Sequence, residues 1–88
     1  SVLETLSING SQNVILINSR PSFKKDESIL LHFRELEGKP AELTLKSKIA
    51  GRTIKRMVEA NVTGKEIGDP IQSITFKPFE VKFIEVQF

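Results

Sequence analysis

Apolar and polar residues alternate along most of this chain with a period of two. Val14-Ile15-Leu16-Ile17-Asn18 is a short, nearly continuous apolar run, the form expected of a strand buried on both sides or central in a sheet. Ser28 to Leu36 places Ile29, Leu31 and Phe33 on one face and Ser28, Leu30, His32 and Arg34 on the other. Glu37-Gly38-Lys39-Pro40 reads as a turn, because glycine accepts a positive φ and proline blocks continued pairing. Glu42-Leu43-Thr44-Leu45-Lys46 then alternates cleanly, so the two segments predict an antiparallel hairpin.

Ile54 to Val62 alternates again, with Ile54, Val58, Ala60 and Val62 on one face and Arg56 as the exception. Thr63-Gly64-Lys65 and Gly68-Asp69-Pro70 turn the chain. Ile74 and Phe76 share a face, and Pro78 ends that strand. The last segment slips in phase: Val81 and Phe83 are odd, whereas Ile84, Val86 and Phe88 are even. Either a β-bulge restores one inward face, or the strand is apolar on both faces. No segment of helical length keeps a 3.6-residue period. Gly51 and the β-branched Thr53, Ile54 and Val58 argue for strands rather than a helix between Leu45 and Val62. About seven short strands with closely spaced turn signals predict an all-β fold, an antiparallel immunoglobulin-like β-sandwich. A small barrel is the second reading.

The 88 residues form a single domain, 1–88, and a chain of this size buries roughly 60–65% of its unfolded surface around one core. There is no apolar run of about 18 residues, so no membrane partner is expected. A net charge of +2 is too small to argue for nucleic acid, whose affinity comes from many neutralised phosphates. The chain has no cysteine and one histidine, which leaves few ligands for a transition metal. No cofactor is expected in this domain.

The candidates for chemistry are few. His32 lies mid-strand with Leu30 and Arg34 as same-face neighbours, so no nucleophile or carboxylate partner is visible and it reads as a surface or interface histidine. Asp26 and Glu27 are adjacent loop carboxylates without the fixed separation that glycoside hydrolysis requires. Glu35, Glu37 and Glu42 surround the central turn but lack the Asp/Asn/Gly-rich loop of a calcium site. Lys24-Lys25 and the Arg52–Arg56 cluster read as solvated or domain-contacting. All six aromatics are Phe. Phe packs well but has no polar handle, which weighs against an autonomous carbohydrate-binding module built from aromatic faces with hydrogen-bonding edges. No catalytic or metal-binding residue is assigned.

The segment from Ile29 to Leu45 resembles the central hairpin of the C-terminal β-sandwich in family 38 glycoside hydrolases, the α-mannosidases. There an Arg–apolar–aromatic–Glu strand leads into a glycine turn and a Leu-rich strand. Glu35 and Gly38 match that pattern. His32 stands where the family usually has Arg, and Arg34 where it often has an aromatic residue. Lys77-Pro78-Phe79-Glu80-Val81-Lys82 is similar to the Pro-Phe-Glu-Ile-Lys segment near the end of those enzymes. The resemblance spans residues 14–88.

The resemblance implies a C-terminal part of a larger, zinc-dependent retaining α-mannosidase, with the catalytic Asp and the zinc ligands in an earlier domain. This chain would then be a non-catalytic accessory domain that supports the catalytic domain or a subunit interface. Its partner would be the catalytic domain of the same polypeptide, with carbohydrate contact left open. Glu35, Gly38, Pro78, Phe79 and Glu80 carry over as residues of the fold and of domain contact. Pro78 would break the ladder and let the chain cross between sheets. Phe79 would anchor that crossing in the core or pack against a neighbouring domain. The alternative is an autonomous carbohydrate- or protein-binding module, which an exposed Phe cluster or an open edge strand would favour.

Overall fold

The computed structural model describes residues 2–22 and 27–88. Lys24, Lys25 and Asp26 lie outside the described residues. A single helical turn, α1 (Val2–Thr5), leads into β1 (Leu6–Gly10), β2 (Val14–Pro21), β3 (Ser28–Glu35), β4 (Ala41–Ser47), β5 (Arg56–Ala60), β6 (Ile74–Phe76) and β7 (Val81–Gln87). The strands form two antiparallel sheets, a three-stranded one in the order β1-β4-β6 and a four-stranded one in the order β2-β3-β7-β5. The fold is an all-β sandwich.

The core lies between the sheets and follows from the alternation. In β4, Ala41, Leu43 and Leu45 are buried while Glu42, Thr44 and Lys46 are exposed. Leu6 and Ile74 join them from β1 and β6, facing Leu31, Phe33, Ile84, Val86 and Met57 of the other sheet. Phe33 meets Phe76 edge to face, with ring centroids 6.2 Å apart. Such contacts add modestly to the larger gain from burying the rings themselves.

Three sequence-based expectations need correction, and one open alternative is decided. The segments on either side of Glu37–Pro40 do not form a hairpin: β3 belongs to one sheet and β4 to the other. Both have a single strongly apolar face, and facing each other across the core buries those faces as well as pairing would. Val14–Asn18 is not central. It opens β2, an edge strand on which Ile15 and Ile17 are exposed. Of the two readings of the last segment, the strand apolar on both faces is the one observed. β7 keeps unbroken register with β3 and β5, and the register shift lies in β2, between Leu16 and Asn18. Finally, the strand read from Ile54 to Val62 is shorter, only Arg56–Ala60. Its contribution to the inter-sheet core is Met57, not Val58 or Ala60.

Two of these differences share one cause, a partly covered outer face on the four-stranded sheet. After β5 the chain folds back on itself. Asn61 N–H donates to Lys65 C=O and Ile67 N–H to Glu59 C=O, and Ala60 bridges Glu66. Arg56 and Glu66 lock the return with two 2.7 Å hydrogen bonds. Gly64 thereby comes to lie over Leu30. Leu30, Val58 and Ala60 are buried although they point away from the core, and the central strands carry apolar residues on both faces.

Candidate functional site

Glu35, Gly38, Pro78, Phe79 and Glu80 converge at one end of the sandwich, where two crossings between the sheets run side by side. β3 passes to β4 through residues 36–40, and β6 passes to β7 through residues 77–80. Glu35 ties the two together. Its side chain continues the inward phase of Leu31 and Phe33 and is fully buried. One carboxylate oxygen, Oε1, accepts from Gly38 N–H (2.7 Å), Lys39 N–H (3.1 Å) and Phe79 N–H (2.7 Å). The other, Oε2, accepts from Glu37 N–H (2.7 Å) and Asn13 Nδ2 (2.8 Å).

Burial alone pushes the Glu35 carboxyl up. The bonds from Phe79, Glu37, Asn13 and Gly38 outweigh it and hold the group down at about 2, as expected for a carboxylate that accepts several backbone N–H bonds. One side chain thus accepts from four backbone N–H groups drawn from both crossings.

The second crossing is a tight turn. Glu80 N–H donates to Lys77 C=O (3.0 Å), and Glu35 N–H donates to Glu80 C=O (3.0 Å). The Glu80 side chain accepts from Lys77 N–H at 2.9 Å. Pro78 occupies the position where its fixed φ is favourable, and Phe79 follows at φ 61°. A type II turn needs a positive φ there and normally takes glycine. A left-handed aromatic residue costs on the order of 1–3 kcal/mol. The bond from Phe79 N–H to Glu35 offsets that strain.

Phe79 does not anchor the crossing in the core: it is 61% exposed. Its ring lies across Gly38, where an added Cβ would come within 2.7 Å of two ring carbons, and Gly38 itself sits at φ +72°. Gly38→Ala should therefore cost about 1–2 kcal/mol from the left-handed backbone and swing the ring away. Loss of the upfield ring-current shift on the residue-38 α-proton would report the swing. An unchanged shift would show that the ring does not rest there.

Beside Phe79 the outer face of the sheet is apolar. Ile15, Arg34 and Val81 stand in one row across β2, β3 and β7, and Leu36 lies just beyond it, bonded through its N–H to Asn13 C=O. Ile15, Leu36 and Val81 are all exposed. Arg34 is exposed and makes no ion pair among the described residues.

The remaining candidates stay apart. Glu37 pairs with Lys39 at 3.7 Å on the surface, and Glu42 accepts from Ser73 Oγ at 3.0 Å. Glu27 sits 3.7 Å from Arg52. His32 lies on the outer face, stacked on Phe83 with ring centroids 4.4 Å apart. No cluster of three His, Asp or Glu side chains suited to a metal gathers among the described residues. Glu35 is already committed to five donors, so these residues do not fit a zinc ion. Asn13, Ile15, Leu36 and Val81 were not singled out from the sequence. Val81 did leave a trace there, since it is out of phase with Ile84 and Val86.

A family model described as "Glycosyl hydrolases family 38 C-terminal beta sandwich domain" matches residues 13–82. This range takes in all of the Glu35 and Phe79 corner. Among solved structures, the apo exo-carrageenase GH42 from Bacteroides ovatus superimposes with a TM-score of 0.61 at 19% identity. The alignment covers 96% of this chain and 11% of that one, so the likeness is one of fold and is confined to a small part of the larger protein. No curated protein matches the chain. On the strength of the family match, this chain belongs to the C-terminal β-sandwich domains of the family 38 glycosyl hydrolases.

Proposed function

We propose that the chain is a non-catalytic accessory domain of an α-mannosidase-like glycoside hydrolase, and that its Phe79 end seats against the catalytic domain of the same polypeptide. The observation that supports this reading is the corner itself. A buried carboxylate, a proline and a left-handed backbone together hold an aromatic ring in solvent, where it adds little to the core. Strain of this kind persists where surrounding structure over-determines it, and an exposed aromatic held in this way suits a binding hot spot. Catalysis, with its zinc and its nucleophilic Asp, belongs in this reading to the domain on which the sandwich docks.

The test is Phe79→Ala. In the 88-residue chain it should lower unfolding free energy by less than about 1 kcal/mol, because the ring is not core. Affinity for the separately produced catalytic portion should fall roughly 30-fold, as for a hot-spot residue. Unchanged affinity, or collapse of the isolated domain, would remove the reading. So would aryl α-mannoside hydrolysis that tracks the concentration of the purified chain.

A further inference from the structure

The outer face of the four-stranded sheet carries a second feature, away from the Glu35 corner. A pocket of about 160 Å³ opens between Asn18 and Arg20 of β2, Leu30 and His32 of β3, Phe83 of β7 and Val62 of the returning turn. The register brings them together: Asn18 pairs with His32, Arg20 with Leu30, and His32 with Phe83. Leu30, 4% exposed, is the floor. The His32 imidazole lies nearly parallel on Phe83, with 23° between the planes. The phenyl ring alone has no polar edge. Covered by His32, it becomes a platform that does.

The polar groups at the rim are uncommitted or only partly used. Neither the Asn18 amide nor the His32 ring nitrogens hydrogen-bond to another described residue. Arg20 donates one Nη to Val62 C=O, which orients the guanidinium and leaves N–H donors that bond to no other described residue. No carboxylate lines the pocket. A neutral sugar offers hydroxyl donors that want such acceptors. A ligand rich in acceptor oxygens finds Asn18, Arg20 and His32 instead, and a guanidinium fork matches a carboxylate or sulfate oxygen pair.

We infer that this pocket binds one terminal acidic sugar residue, with its anionic group on Arg20 and Asn18 and its ring face on the His32–Phe83 stack. The volume is below the range of about 300–1,000 Å³ typical of larger ligands, which limits the occupant to one ring. The choice of a sugar rests on the proposed role in a glycoside hydrolase; the negative charge is argued from Arg20, the donor-only group of the rim, and from a lining without a carboxylate. Two residues along β3 from His32 lies Arg34, so the pocket opens at the margin of the proposed docking surface.

An amide NMR titration of the 88-residue chain tests this, with glucuronic acid, galactose 6-sulfate, mannose and inorganic sulfate as probes. Saturable shifts at Asn18, Arg20, His32 and Phe83, with a roughly millimolar dissociation constant, are expected for at least one acidic sugar. The carboxylate and sulfate arms identify which anion is preferred. Mannose and inorganic sulfate should each bind about tenfold more weakly, lacking the charge or the ring. His32→Ala and Asn18→Ala should each weaken the acidic sugar about tenfold. Phe83→Leu, which keeps apolar volume in the sheet, should do the same without unfolding the domain.

Equal binding of mannose, equal binding of inorganic sulfate, or no saturable shift with either acidic sugar would overturn the inference. The Phe79→Ala docking measurement is independent of it. Failed sugar binding with docking intact removes only the pocket. Sugar binding without docking would support the pocket on an autonomous module.

Discussion

Glu35→Gln should lower the thermal midpoint of this domain by roughly 10–15 °C, the largest effect expected of any single polar substitution here. The glutamine is nearly isosteric, so no cavity forms. The loss comes from the hydrogen-bond inventory. Five donors point at the carboxylate: the N–H groups of Glu37, Gly38, Lys39 and Phe79, and the Asn13 amide. A glutamine turns one acceptor oxygen into a donor, which would then face either the Glu37–Asn13 pair or the Gly38–Lys39–Phe79 set. Buried donors left without acceptors cost their desolvation. Differential scanning calorimetry gives the answer, and a shift under about 3 °C would show that the corner holds together without the charge.

The same carboxylate predicts an acid limb. Its pKa is about 2 in the folded chain against an ordinary value of 4.5. A group depressed on folding contributes stability that is fully present above the unfolded value. That contribution is lost as pH falls from about 4.5 towards 2. The gap between wild type and Glu35→Gln should therefore be widest near neutrality and narrow across that window. Guanidinium titrations at a series of pH values would show it, and a gap that stays constant to about pH 2 would contradict the assignment.

Gly10→Ala is expected to cost about 3 kcal/mol or more in a guanidinium titration. Gly10 ends β1 at φ +123°, and a Cβ built there would lie 2.3 Å from the Glu42 carbonyl oxygen and 3.2 Å from the Leu43 Cα. Both obstacles are backbone, so no rotamer relieves them. The β1–β4 pairing, the only one β1 makes among the described residues, must open locally. The bond from Ser11 N–H to Glu42 C=O (3.0 Å) and the return from Glu42 N–H to Ser11 Oγ (2.9 Å) would go with it. A loss below about 1 kcal/mol would mean that the two strands are not so closely apposed.

Gly10 also illustrates what sequence reading misses. Leu6-Ser7-Ile8-Asn9-Gly10 alternates, but over too few residues for β1 to stand out. β3, β4 and β6 were legible because each has a face that meets the core, so burial imposes the period of two. The pairing of β3 with β4 was misread because adjacency in the chain does not distinguish a hairpin from a crossing. The distinguishing residue was Glu35. In the inward phase of Leu31 and Phe33 it looks like a solvated strand end, and only the converging N–H groups explain a charge at that depth.

The site was legible in part. The family resemblance picked out Glu35, Gly38, Pro78, Phe79 and Glu80, which the fold gathers at one corner. Their mutual bonds, and the contribution of Asn13 from a different strand connection, depend on which crossings run side by side. No spacing rule reports that. The His32 pocket was hidden for a related reason. Its residues come from three strands and a turn, and the stacking of a histidine on a phenylalanine is a cross-strand property.

The position of β7 has a consequence for synthesis. Among the described residues it is the last of seven strands in chain order, yet it is internal to its sheet and the sole link between β3 and β5. As the chain leaves the ribosome, β2 and β3 can meet early, but Leu31 and Phe33 then line an open sheet edge, and β5 has only the returning segment up to Ile71 against it. Vectorial folding of this half of the sandwich must wait until Val81–Gln87 has emerged. Until that moment the nascent chain presents an unpaired apolar edge of the kind that chaperones cover.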